Sequence, residues 1–205
     1  MDNNLKALFS SWEAAIGTLL SAIASTPSSK LNETLQTNLD LAGNVMQATG
    51  SALAADSEKK LTLNKFGNQV QAIGNAVVIS GIVISFTEET KRKVTIKGNL
   101  FQAVGSSMAL PDLLDTTEIT MDTLYEIYGA LLQSIGNALQ GLSGMIELKG
   151  ERGEHIDFVG SWIQTIGAFI QALVQSKTSY IDYEKSFSGM HIQRSKFEFP
   201  LRMET

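Results

Sequence analysis

A pair of glycines seven residues apart recurs along this 205-residue chain, and it constrains the fold more than any other feature. Each pair encloses a glutamine, as in "GNQVQAIGN", and the copies begin at Gly43, Gly67, Gly98, Gly129 and Gly160. A degenerate copy, with one glycine and no glutamine, begins at Ser10. In the last four copies the second glycines follow one another at intervals of about 31 residues. A constant period of this size indicates a chain built from one duplicated structural unit.

The apolar residues within each copy have helical spacing. Counted from the first glycine, they fall at the third, sixth and tenth positions, as Val70, Ile73 and Val77 do in one copy. This alternation of three and four residues matches the a and d positions of a heptad. We therefore predict that these residues face the core, that the glycines contact a neighbouring helix, and that the glutamines lie on the outer face.

The repeat predicts an all-α, up-and-down bundle of about six helices, with one helix for each repeat of about 31 residues and a Gly-x6-Gly core in each. The predicted helices lie near residues 4–25, 31–55, 59–87, 92–109, 118–148 and 154–187.

Residues 1–187 form the predicted bundle and 188–205 an extended C-terminal tail. Phe197, Phe199 and Leu201 alternate with other residues there, and a period of two does not suit a helix. The tail is expected to lie across its own bundle, or to act as an arm that docks on a neighbouring subunit.

Two sets of residues are candidates for a special role. The first is a helix-packing waist of glycines, explained by close packing or by a glycine seam of the kind that joins helices in membranes: Gly43, Gly50, Gly67, Gly74, Gly98, Gly105, Gly129, Gly136, Gly160 and Gly167. The second is a candidate interface with another protein, formed by the glutamine of each repeat: Gln47, Gln71, Gln102, Gln133 and Gln164.

Charged residues avoid the middle of every predicted helix. The uncharged stretches are 14–29, 41–55, 66–87, 98–111, 127–146 and 158–176. A soluble bundle normally carries charges along its outer face. Three explanations stay open: a neutral polar face inherited by duplication, an interface between subunits, or contact with a membrane.

Composition argues against several classes of function. Apolar residues make up 43% of the chain, which is enough for one folded domain. The net charge of −5 and the lack of a basic stripe argue against nucleic-acid binding. The chain has no cysteine, and neither His155 nor His191 has the glutamate three residues earlier that a helical di-iron site needs. We therefore expect no enzyme activity, no cofactor and no metal.

The N-terminal sequence "MDNNLKALFSSW" lacks the basic start and apolar run of a signal peptide. A cytoplasmic location is therefore expected, with signal-independent export left open.

The repeated Gly-Asn-x-x-Gln-Ala-x-Gly-Asn pattern resembles that of small, repetitive, uncharacterised helical proteins from Bacillus and related spore-formers. The resemblance rests on the core of each repeat, and it implies no catalytic residue. The copy at Ser10 and the residues after 187 depart from the pattern.

These observations favour a non-enzymatic bundle with a structural or protein-interaction role, bound to copies of itself or to another protein. The alternative is a membrane-active bundle of the pore-forming or toxin type that inserts through the 66–110 hairpin. Membrane contact is the less favoured expectation, because Asn68, Gln69 and Gln71 make residues 66–87 a poor span.

Overall fold

The computed structural model describes residues 2–27 and 31–196, and within them the protein is an all-α bundle. This confirms the predicted fold class. Each of the six long helices carries one copy of the glycine motif, and a short helix, α5, lies between the fourth and fifth of them. The helices are α1 (Asn3–Ser25), α2 (Glu33–Ser57), α3 (Leu63–Val83), α4 (Glu88–Ser107), α5 (Ala109–Leu114), α6 (Met121–Leu148) and α7 (Glu154–Lys196).

Four long helices begin behind a polar side chain that caps the first turn. The side-chain oxygens of Asn32, Thr62, Thr87 and Thr120 each accept a hydrogen bond from the backbone N–H three residues later. These caps satisfy amide groups that have no partner inside the helix. The Thr62 cap starts α3 four residues later than the sequence pattern predicts.

Paired glycines join the long helices into three antiparallel hairpins, α1–α2, α3–α4 and α6–α7. A Cβ atom added to Gly74 would lie 2.7 Å from the carbonyl oxygen of Gly98, and one added to Gly98 would lie 2.7 Å from that of Gly74. Gly136 and Gly160 are paired in the same way, at 2.6 and 2.7 Å. No side chain fits at such distances, so the two backbones of a hairpin touch only because these residues are glycines.

The three hairpins close into a ring. Each long helix contacts the long helix before and after it in the chain, and α7 returns to contact α1. Trp12 of α1 donates to Ser176 Oγ at 2.9 Å, and Trp162 of α7 donates to Thr26 Oγ1 at 3.1 Å. Within the described ranges, the backbones of long helices that are not neighbours in the ring do not approach each other, so side chains alone fill its axis.

The end of the chain differs from the prediction. Helix α7 continues to Lys196, so residues 188–196 are helical and the predicted extended tail is wrong for them. The strand-like alternation that suggested the tail begins only at Phe197. Residues 197–205, which include Phe199 and Leu201, lie outside the described part of the chain.

Gly74→Leu should destabilise the fold by about 1–3 kcal/mol or more, because a side chain at this position overlaps the backbone of α4. The free energy of unfolding, followed by circular dichroism, measures the effect. Ala76→Leu is the matched control on the same helix, since Ala76 is exposed. Equal stability of the two variants would contradict the glycine contact.

Candidate functional site

The interior of the bundle is made of small and polar residues. The largest side chains that are almost fully buried belong to Asn75, Asn137 and Thr18. Alanine accounts for most of the buried apolar residues, and among the described residues no leucine, phenylalanine or methionine is classed as buried. Large apolar residues usually fill the interior of a protein in water. In this bundle small and polar residues fill the interior, and many large apolar residues are exposed.

The predicted heptad is therefore wrong about which face points inward. Ile73 and Ile166 are 57% and 54% exposed, whereas Gln47 and Gln164 are each 4% exposed. The glycine contacts explain the reversal. A helix turns by about 100° per residue, so the residue four after a glycine lies beside it, near the hairpin contact. The residue six after it points away from that contact.

Large apolar residues are exposed along the whole length of the bundle, including its ends, where Leu5, Leu35 and Val83 lie. We give the name apolar girdle to thirteen of them, which lie on all six long helices and line neither of the cavities described below. They are Phe9, Ile16, Val45, Phe66, Ile73, Leu100, Phe101, Val104, Leu131, Ile135, Leu142, Ile166 and Leu173.

Charged residues concentrate towards the two ends of the bundle. Lys6 pairs with Asp56 at one end, where Lys177 also pairs with Asp122 at 2.8 Å. Arg92 pairs with Glu147 at the opposite end. Two charged residues lie nearer the middle: Lys97, which is exposed beside Gly98, and Glu13, whose Oε2 is buried without a hydrogen-bond partner.

The five glutamines predicted as an outward interface lie inside the ring instead. Each follows the first glycine of its repeat by four residues, so the antiparallel hairpins place all of them near mid-height. Gln47, Gln102, Gln133 and Gln164 are buried, and Gln71 is partly buried. Together with Gln171 we call them the glutamine layer.

Hydrogen bonds tie this layer together. Gln164 donates to Gln47 Oε1 at 2.9 Å and accepts from Gln140 Nε2 at 2.8 Å. Gln133 donates to Gln171 Oε1. These bonds join α2, α6 and α7 through side chains, which compensates for the removal of their amides from water.

A cavity lies on each side of the glutamine layer. The upper cavity, of about 430 Å³, extends towards the end of the bundle where α1, α3 and α6 end, and all six long helices line it. The lower cavity, of about 470 Å³, extends towards the other end, and α5 takes the place of α4 in its wall. Gln47, Gln102 and Gln164 line the upper cavity, whereas Gln71, Gln133 and Gln171 line the lower one.

All ten glycines of the predicted waist approach the partner helix of their hairpin. A Cβ added to any of them would lie within 3.0 Å of a backbone atom of that helix. Gly17, which packs against Gly43, and the buried amides of Asn75 and Asn137 are not among the predicted site residues. The signal was present, since an amide or another small residue follows each glycine in the motif.

Gln164→Ala should lower the free energy of unfolding by about 1–3 kcal/mol, because it leaves Gln47 and Gln140 without their shared partner. Gln69→Ala, at an exposed position of α3, should change it by about 0.5 kcal/mol or less. Chemical denaturation of both variants measures the difference. A larger loss at Gln69 than at Gln164 would show that the glutamine layer is not interior.

Comparison with known proteins identifies a family. Searches of curated proteins and of solved structures find no match. A model described as a family of unknown function, DUF6944, matches residues 5–172, which is most of the chain. The chain belongs to this family.

Proposed function

We propose that this protein is a non-enzymatic, membrane-inserted helical bundle, with the apolar girdle in contact with lipid tails. The observation that carries the proposal is that the girdle includes exposed apolar residues from every long helix of the ring. This reverses the preference drawn from the sequence, where the outer face was expected to carry the glutamines and the membrane was the second choice.

Water is a poor surrounding for the girdle. Full burial of a large apolar side chain stabilises a protein by about 1.5–3 kcal/mol, so each half-exposed one forgoes on the order of 1 kcal/mol. Thirteen such residues together forgo on the order of 10 kcal/mol, which is comparable to the whole stability of a typical domain. An apolar surrounding removes this deficit.

The shape of the girdle favours lipid over a protein partner. A dimer interface covers one side of a molecule, whereas this belt encircles the ring and includes Ile16, Val45, Ile73, Ile135 and Ile166, on five of the six long helices. Lipid contacts all sides at once. The charged ends, with their ion pairs, would then lie in the headgroup regions and in water.

The lengths of the uncharged stretches suit this proposal in part. Residues 127–146 of α6 span about 30 Å at about 1.5 Å per residue, close to the thickness of the hydrocarbon core. Residues 98–107 of α4 are shorter, and the exposed Lys97 would extend its ammonium group towards the headgroups.

Hydropathy alone selects a different segment from the expected 66–110 hairpin. In the described part of the chain, α1 is the one helix that is long and apolar enough to qualify as a span. The inner faces of the other long helices carry asparagine, glutamine and serine, which lower the average even where the outer face is apolar. The proposal therefore rests on the exposed apolar side chains of the girdle and not on the hydropathy of single helices.

The resemblance to repetitive proteins of Bacillus and related spore-formers makes a bacterial, anionic bilayer the target that we propose. We also propose synthesis in the cytoplasm and insertion from that side. No enzyme activity, cofactor or nucleic-acid partner is part of the proposal.

Flotation with anionic and neutral liposomes tests it. The protein should float with the vesicles, and Ile166→Glu should lower its partition by about 10-fold or more, because a charge at the centre of a bilayer costs about 2.5–3.5 kcal/mol. Leu61→Glu is the matched control, since Leu61 is 82% exposed and lies in the turn between α2 and α3.

The solution mass, measured by light scattering in parallel, separates this proposal from self-association. Protein that stays at the bottom of the gradient as a discrete oligomer would reject the membrane and support the interaction role expected from the sequence. Equal losses of flotation in the Ile166 and Leu61 variants would also count against insertion through the girdle.

A further inference from the structure

The axis of the ring offers a polar path between the two ends of the bundle. The upper and lower cavities extend from the glutamine layer towards opposite ends of the bundle. In the described ranges the backbone of each long helix approaches only its neighbours in the ring, so no helix backbone crosses this axis. The two cavities are therefore separated by side chains alone.

Flexible side chains make the barrier between the cavities adjustable. Gln47, Gln102, Gln133 and Gln164 each have three rotatable bonds, and their amide groups can both donate and accept hydrogen bonds. A rotamer change in this layer could connect the cavities without unfolding a helix, since side-chain rotations are fast compared with helix motions. The amides would also replace part of the hydration of a solute that passes.

The charges that line the lower cavity favour cations, whereas those of the upper cavity largely cancel. In the upper cavity Glu88 and Glu147 pair with Lys91 and Arg92. Burial raises the pKa of Asp40 to about 6 and that of Asp157 to about 7, so this wall carries little net charge near neutral pH. Lysine and arginine are missing from the described lining of the lower cavity, which includes Glu58, Asp112 and Glu126. Negative walls raise the local concentration of cations and exclude anions.

We propose that the interior of the bundle is a conduit for small inorganic cations across the bilayer, with the glutamine layer as its constriction. This inference rests on the proposed function, because the two cavities face opposite sides only if the girdle lies in a membrane. The ligand chemistry is that of a hydrated monovalent cation such as K⁺, bound weakly by carboxylates and amide oxygens.

Proteoliposomes that have first been shown to float provide the test. They are loaded with a K⁺ indicator together with a dye too large for the cavities, and K⁺ entry is compared with dye release. The intact protein should admit K⁺ and retain the dye. The double variant Gln102→Leu/Gln164→Leu should reduce K⁺ entry by about 10-fold or more, because apolar side chains at a constriction exclude water.

Two further variants distinguish K⁺ entry through a conduit from K⁺ leakage through a disturbed bilayer. Gln69→Leu, at an exposed position of α3, should leave K⁺ entry unchanged. Glu126→Gln should keep the protein in the vesicles and move the reversal potential in a KCl gradient towards zero, since it removes one of the carboxylates lining the lower cavity.

The outcomes distinguish the two proposals. Wild-type protein that floats but admits no K⁺, or that releases the large dye together with K⁺, overturns the conduit and leaves membrane insertion standing. An unchanged reversal potential in the Glu126 variant also overturns the cation path. Protein that does not float overturns both proposals.

Discussion

The contact between paired glycines in each hairpin is the interaction on which the rest of the structure depends. The carbonyl oxygen of Gly98 lies only 2.7 Å from where a Cβ of Gly74 would be, and that of Gly160 lies 2.6 Å from where a Cβ of Gly136 would be. Each glycine inside a helix costs about 0.5–1 kcal/mol relative to alanine. Close backbone packing, with its dispersion attraction and weak Cα–H···O contacts, offsets that cost. Because the glycines fix one face of each helix against its partner, they also fix the direction of every other face.

The inside-out character of the bundle follows from this contact. Once the glycines touch, the glutamine four residues later points towards the middle of the ring, and the large apolar residue six residues later points outwards. A layer of amides on the axis, cavities on both sides of it and an apolar girdle around it are therefore consequences of one spacing. The same arrangement is found among membrane proteins, where small residues bring helices together without an apolar core.

The sequence predicted the helices and their close contacts better than their orientation. The 31-residue period and the glycine pairs were enough to predict an all-α bundle of six long helices and to select the glycines at the contacts. The heptad rule failed at Ile73 and Gln164, because it assumes that the largest apolar residues face the core. That assumption holds in water, and the spacing of residues carries no information about the surrounding solvent. The lack of charged residues in the middle of each helix was the available clue. In the structure the outward faces of these stretches carry exposed apolar side chains.

Site-directed labelling in liposomes would test the inside-out arrangement most directly. The chain has no cysteine, so Ile73→Cys and Gln102→Cys each introduce a single labelling site. A nitroxide is attached at each site. Its accessibility to oxygen, which concentrates in lipid, is compared with its accessibility to a polar relaxation agent, which stays in water. The account predicts high oxygen accessibility at residue 73 and low accessibility to oxygen at residue 102. Low oxygen accessibility at residue 73, or an oxygen accessibility at residue 102 as high as that at residue 73, would contradict it.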